Sequence, residues 1–242
     1  MRRNCCIWNI IAIICLFAMA CASTSCIRLK DKDAGPMVAK NVLTKNFNKL
    51  FLSGVGEFYV TQSDTTSVKI VAPAKYQDKL KAVWKASELK IFYDGNGDGK
   101  PDEHLDNMKD VDVSIFITTP KLTSVIQEGV GSLKIDKKFE TDYFYISVKG
   151  VAKANLNNFR AKRFNADVEG VAKLNVDTLT ADTTHLAIDG ICKVDVNFEK
   201  SGITTVSADG ICYVNLTGTL KQKPIKSKDG ITRISDDTEL WK

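Results

Sequence analysis

Between Gly129 and Asp236, apolar and polar residues alternate with a period of two, and one recurring phrase punctuates the alternation. In order it reads EGVGSLKID, KGVAKANLN, EGVAKLNVD, DGICKVDVN, DGICYVNLT and DGITRISDD. Its glycines are Gly129, Gly150, Gly170, Gly190, Gly210 and Gly230, the first interval being 21 residues and the next four 20. After Gly150, Ala152, Ala154 and Leu156 alternate with Lys153, Asn155 and Asn157. The next copies repeat this with Ala172, Leu174 and Val176, then with Cys192, Val194 and Val196. Apolar residues on one parity mark a half-buried strand, since a helix would repeat every three to four residues. A second strand precedes each glycine, with Ile146 and Val148, Ala166 and Val168, Leu186 and Ile188, and Val206 and Ala208 as its apolar set. A looser third apolar point follows at Phe139, Phe159, Leu179, Phe198 and Leu220.

Two strands, a third side and corners use up each copy and leave no room for a useful helix. Repetition this regular implies one supersecondary unit stacked along an axis. The expected fold is all-β: a parallel β-helix (solenoid) of ~20-residue coils, strands of neighbouring coils lying ~4.8 Å apart. The leucine-rich horseshoe has a repeat of similar length, but its L-x-x-L-x-L-x-x-N phrase is missing. The glycine marks a corner that needs positive φ. No proline occurs between Pro120 and Pro224, as expected where every backbone N–H must reach the adjacent coil.

Upstream, FLSGVGEFYV matches the phrase through Gly54, Val55 and Gly56 and reads as a first, divergent coil. Ser67–Ala72 reads as a strand. Lys75–Trp84, with Tyr76, Leu80 and Val83 or Trp84 apolar, predicts a short amphipathic helix after Pro73 that caps one open end. Strands at Leu89–Tyr93 and Val111–Thr118 flank an acidic loop. Lys221–Lys228 is polar and basic, and the tail to Trp241 is expected to cover the other end.

The first residues change the picture of location. Arg2 and Arg3 precede a largely apolar Ile7–Ala20 run, too short to span a bilayer comfortably and built like an export signal. Five of the seven cysteines (Cys5, Cys6, Cys15, Cys21, Cys26) fall here, which argues against a disulfide framework. Ala18-Met19-Ala20-Cys21 resembles a bacterial lipobox, so Cys21 is the candidate lipidation site; plain secretion and a retained anchor helix are the alternatives. The organisation read from these features is a lipoprotein-type signal peptide over 1–20, a tether over 21–40 and a single domain over 41–242. Within that domain 41–120 is the divergent N-terminal part and cap, 121–236 the regular coils and 237–242 the tail. The expected location is the cell envelope, on an outer-membrane-anchored lipoprotein facing the periplasm or the exterior. Removing the signal lowers the +5 formal charge to +3, too mild to imply nucleic acid.

Candidate chemistry is sparse. In DGNGDGKPDEHLDN, Asp94, Asn96, Asp98 and Asp102 fall at positions 1, 3, 5 and 9 of a calcium-loop spacing, with Gly99 at the tight bend and the Lys100 carbonyl at position 7. Position 12 is Leu105 where an EF-hand needs glutamate, so the phrase is closer to thrombospondin type 3 repeats, with Glu103 or Asp106 as further ligands. The alternative is a solvated Asp/Gly hairpin tip. Calcium is the one cofactor the sequence offers.

Lys153, Lys173, Lys193, Tyr213 and Arg233 share one outward position on successive copies. Stacked ammonium groups repel by about 1 kcal/mol even in water. A strip for an anionic glycan is one reading, and side chains that splay into solvent and blunt the face are the other. Asn155, Asn175, Asp195 and Asn215 form a neighbouring row whose amides are expected to bond along the axis. Glu169, Asp189, Asp209 and Asp229 precede the glycines, either as turn residues or as the acid pairs of a polysaccharide-cleaving β-helix. Cys192 and Cys212 share a small inward slot with Ala152, Ala172 and Thr232, as buried thiols or, less simply, a disulfide. His104 and His185 lack partners at zinc spacing.

A lipoprotein-like start, a strand-rich region with a short helix, ITTPKLTSVIQEGVGSLKI and serial G-[VI]-x-x-[VL]-[ND]-[VL] phrases together resemble the putative auto-transporter adhesin, head GIN domain family of Bacteroidetes. The likeness covers roughly Phe47 to Ser235 and is carried by the glycine phrase and the Thr119-Pro120-Lys121-Leu122 junction. It implies a β-helical envelope protein with an adhesive role and offers no catalytic residues. The resulting expectation is a non-enzyme, membrane-held through a lipid, whose partner is a glycan or a host or cell-surface protein. The alternatives are a β-helical polysaccharide-cleaving enzyme and a structural spacer.

Overall fold

The computed structural model describes residues 34–42, 45–102 and 111–241. Cys21 and His104 lie outside them, as do Glu103, Leu105 and Asp106. The described chain is almost entirely strand: β1 Met37–Val42, β2 Lys49–Gln62, β3 Ser67–Pro73, β4 Leu80–Lys85, β5 Glu88–Tyr93, β6 Ser114–Thr119, β7 Ser124–Ile135, β8 Phe139–Ser201, β9 Ile203–Leu220, β10 Ile225–Lys228 and β11 Arg233–Leu240. One helical turn, α1 Ala74–Gln77, interrupts them.

All eleven strands belong to one open sheet, ordered β1-β3-β6-β2-β7-β8-β9-β10, with β11 also on β9 and the β4–β5 hairpin on β2. From β2 onward the pairing is parallel and in phase with the sequence repeat. Gly54 aligns with Gly129, Gly129 with Gly150, and Gly190 with Gly210. β8 alone carries three copies, because its backbone stays bonded to neighbouring copies through the corners.

The alternation dictates which side is buried. Ala154, Leu156, Leu174, Val176, Val194 and Val196 are inside, as are the residues of the preceding strand from Ile146 to Ala208. The third apolar point is buried throughout (Phe139, Phe159, Leu179, Phe198, Leu220). There Phe139 and Phe159 stack with centroids 5.3 Å apart, and Phe144 and Phe164 complete an aromatic column. Each such side chain contributes about 1.5–3 kcal/mol of burial free energy.

At the corners the expected positive φ is present, from +68° at Gly230 to +107° at Gly129. The glycines are also required for close approach. A β-carbon on Gly170 would lie 2.8 Å from the carbonyl oxygen of Gly150, and one on Gly190 2.6 Å from that of Gly170. Backbone therefore rests on backbone at every corner, and no larger residue fits.

Three expectations are corrected. The helix predicted over Lys75–Trp84 is only the turn α1; Leu80–Lys85 is a strand, antiparallel to β5 with Trp84 opposite Leu89. The segment turns back through Ala86, which adopts φ 53°, so hairpin pairing overrides a weak helical period. Antiparallel β1 and β3, added beyond β6, do the covering assigned to that helix. The Lys221–Lys228 stretch and the chain after it are likewise further strands, Ile225–Lys228 and Arg233–Leu240 each lying parallel on β9. Strand pairing also begins at Met37, within the stretch read as a tether.

Candidate functional surface

The residue after each repeat glycine points outward, and in all six copies it is β-branched and apolar: Val130, Val151, Val171, Ile191, Ile211 and Ile231, each between 44% and 69% exposed. Register places Val130 beside Val151 and Ile191 beside Ile211, with the half-buried Val55 continuing the row at the β2 end. At the ~4.8 Å spacing of strands, six rungs make an aliphatic ridge ~24 Å long. Threonine would satisfy the strand geometry at these positions equally well. Contiguous exposed aliphatics are the feature that marks a contact surface, whereas single ones are ordinary. The ridge was visible in the sequence as an apolar residue on the outward parity, but inspection centred on the glycine passed over it.

Two residues further along lies the predicted row Lys153, Lys173, Lys193, Tyr213 and Arg233. Lys193 aligns with Tyr213 and Tyr213 with Arg233, while Lys153 sits beside Ser132. Asp195, from the adjacent outward row, lies 3.8 Å from the Lys173 ammonium and 3.6 Å from that of Lys193. The Lys193 ammonium also sits 5.6 Å from the Tyr213 ring centre. One carboxylate thus offsets part of the mutual repulsion while leaving the side chains at the surface. Toward β6 the same face carries an aromatic stack that sequence reading missed, Tyr59 on Phe116 with centroids 4.9 Å apart, and Lys134 4.9 Å from the Tyr59 ring.

The expected axial amide ladder is shifted by one outward position. Asn175 donates along its own strand to Asp177. The axial bonds run instead from Asn157 to the Asp136 carbonyl (2.9 Å) and from Asn197 to the Asp177 carbonyl (3.0 Å).

Another corner provides a contrast. A shallow groove is lined by Lys121, Asp142, Lys162 and Asp182 from successive copies. Here the signs alternate, and Lys162 pairs with Asp142 at 2.8 Å. The Lys162 hydrogen bond and charge hold the Asp142 carboxyl below its usual range. An alternating row neutralises itself, which the lysine row beside the ridge does only in part.

The residues before the glycines behave as turn residues. Asp209 and Asp229 accept hydrogen bonds from the N–H of Gly210 (2.6 Å) and Gly230 (2.7 Å), and Glu169 pairs with Lys149 at 3.2 Å. Cys192 and Cys212 are free, buried and aligned. Their thiols donate to the carbonyls of Asp189 (3.2 Å) and Asp209 (2.9 Å). Burial, and then the neighbouring Cys212, push the Cys192 thiol up to about 11. His185 is exposed, its Nδ1 3.4 Å from the Thr205 hydroxyl.

The acidic loop leaves the sheet next to Val55, where Gly54 faces Tyr93 and Gly56 faces Val113. The Asp102 N–H donates to the Tyr93 carbonyl at 3.0 Å, closing the loop's ends. Gly97 and Gly99 both adopt positive φ, Gly99 at the bend the spacing predicted. Asp102 accepts from the Gly95 N–H and from the Asn96 amide, Asp94 from the Gly99 N–H, and Asp98 from the Lys100 N–H. Among the described residues no three His, Cys, Asp or Glu side chains converge on one point that could hold a metal ion. Nor is any described helix long and apolar enough to cross a membrane.

Solved structures of similar fold include a putative adhesin from Bacteroides fragilis, 22% identical, with a TM-score of 0.59, covering 83% of this chain and 97% of its own. A putative adhesin from Parabacteroides merdae is 14% identical at a TM-score of 0.54, covering 85% and 95%. A putative lipid binding protein from Parabacteroides distasonis is 16% identical at 0.50, covering 85% and 97%. At these identities the likeness establishes a shared fold. No curated protein matches the sequence. The family model described as putative auto-transporter adhesin, head GIN domain, matches residues 46–210, a span that takes in every repeat glycine from Gly129 to Gly210, and the chain belongs to that family.

Proposed function

We propose that this protein is a non-enzymatic adhesin of the cell envelope, whose sheet winds as a parallel β-helix and whose contact surface is the aliphatic ridge with its flanking cationic row. The 20-residue register from copy to copy supports the winding. The observation that carries the function is the repeated choice of Val or Ile at an exposed position in all six copies.

The chemistry favours a protein partner over a glycan. Sugar faces are usually held by aromatic platforms and dense hydrogen-bonding groups, whereas the ridge is branched aliphatic and its border is cationic. A partner groove lined by apolar side chains and rimmed by carboxylates complements both. Names given to relatives, adhesin above all, agree with a binding role, and the hydrogen-bonded acids at the glycines speak against the polysaccharide-cleaving alternative. The N-terminal export signal, lipidation at Cys21 and outer-membrane anchoring complete the proposal, placing the ridge on a tethered domain.

The test uses the fluorescently labelled chain on cultured epithelial cells and on whole bacteria. Binding that is lost after the cells are shaved with trypsin, and kept after periodate oxidation of their glycans, is the expected outcome. Binding lost with periodate alone would replace the protein partner with a glycan. Binding to protein-free phospholipid vesicles would replace it with a lipid surface, and binding to none of them would favour a structural spacer.

A further inference from the structure

The one carboxylate in the acidic loop that is sealed from solvent is only half satisfied. Asp94 is 4% exposed, and its Oδ2 accepts the Gly99 N–H at 3.2 Å. Its Oδ1 is buried with no hydrogen-bond partner. Buried polar oxygens are ordinarily paired, and a charged one left unpaired is costly. The bond to Gly99, five residues along the loop, aims the carboxylate across the loop, so the orphan oxygen faces the loop's own span.

That span is rich in oxygen. Asn96 donates its amide nitrogen to Asp102, which leaves the amide oxygen available. Asp98 is exposed at the bend, and the Lys100 carbonyl follows it. Carboxylate, amide and carbonyl oxygens on a loop that can adjust are the donor set of calcium, which takes six to eight such ligands; magnesium demands a smaller, stricter octahedron. We propose that residues 94–102 form a calcium site, with Asp94 Oδ1 as its buried anchor and Asn96, Asp98, the Lys100 carbonyl and Asp102 as further ligands. Binding draws Asp98 and Asp102 off the backbone amides they now cap. A cation there satisfies the orphan oxygen and fixes the loop beside the Val55 end of the ridge. The site does not depend on what the ridge contacts.

Calorimetric titration of the full chain, stripped with chelator, tests this with CaCl2 and, separately, MgCl2. Calcium is expected to bind at one site per chain and magnesium at least about tenfold more weakly. Asp94→Asn is expected to weaken calcium by about tenfold or more, and Asp98→Asn, an exposed change that spares the fold, by several-fold. If Asp94→Asn does not fold, Asp98→Asn decides. Absence of heat and of any thermal shift at millimolar calcium overturns the site, as does calcium binding unchanged in the folded variants.

Discussion

The carbonyl oxygen of Gly150 lies 2.8 Å from the place a β-carbon on Gly170 would occupy. The phrase repeats because this contact repeats: each corner is built on the backbone of the one before. Gly170→Ala would both strain a φ of +90° and force that contact apart, so a loss of about 3 kcal/mol or more is expected in urea denaturation. Gly97→Ala is the control. Gly97 also has a positive φ, +75°, but open space around it, so only about 1 kcal/mol should be lost.

Phe159 separates core from surface. It touches Phe139, Phe144 and Phe164, and Phe159→Ala should cost about 3–5 kcal/mol through the cavity it leaves. Val171→Thr, on the ridge, should stay within about 0.5 kcal/mol. Thermal melts of the two variants check the pair.

The thiols make a pH prediction. Burial raises the Cys192 thiol from 9.0 to about 11. Burial and the bond to Asp167 raise the Tyr145 hydroxyl from 10.0 to about 12. Both groups are protonated in the folded state when the unfolded chain would already have ionised. Their stabilisation is therefore complete below pH 9.0 and is lost as pH climbs through 9.0 to about 12. Denaturation midpoints should fall over that window. At pH 8 the two thiols should react with a disulfide reagent only after unfolding.

How much of this was legible follows from what repeats. Glycine spacing, inward parity and the third apolar side appear in the sequence because each obeys one geometric constraint in every copy. The Lys75–Trp84 region occurs once, and a hairpin closed at Ala86 outweighed three apolar residues at helical spacing. The amide row was misplaced because period two does not say which outward side chain reaches the next carbonyl; Asn157 and Asn197 do so and Asn175 turns to Asp177. The stack of Tyr59 on Phe116 was out of reach, since the two lie 57 positions apart and only the β2–β6 register joins them. The acidic loop's spacing was plain, but the orphan oxygen of Asp94 is a property of burial, which sequence does not display.

Charge on the face predicts a salt response. Lys153, Lys173, Lys193 and Arg233 border the ridge, so attachment should weaken as ionic strength rises from 0.05 to 0.5 M, roughly the range over which the Debye length falls to a few ångströms. Reversing Lys153 and Arg233 to glutamate should flatten that dependence in a plate-binding assay. A salt response identical to that of the unaltered chain would remove the cationic row from the contact.

The ridge itself is tested most directly by attachment of the labelled Val171→Glu/Ile191→Glu double variant to cells, measured beside Lys162→Glu at the alternating-charge corner. Both are exposed changes and should leave the melting temperature nearly unmoved. The expected result is a loss of about tenfold or more for the ridge variant and none for Lys162→Glu. Equal attachment by both variants would contradict the assignment of the Val/Ile ridge as the adhesive surface.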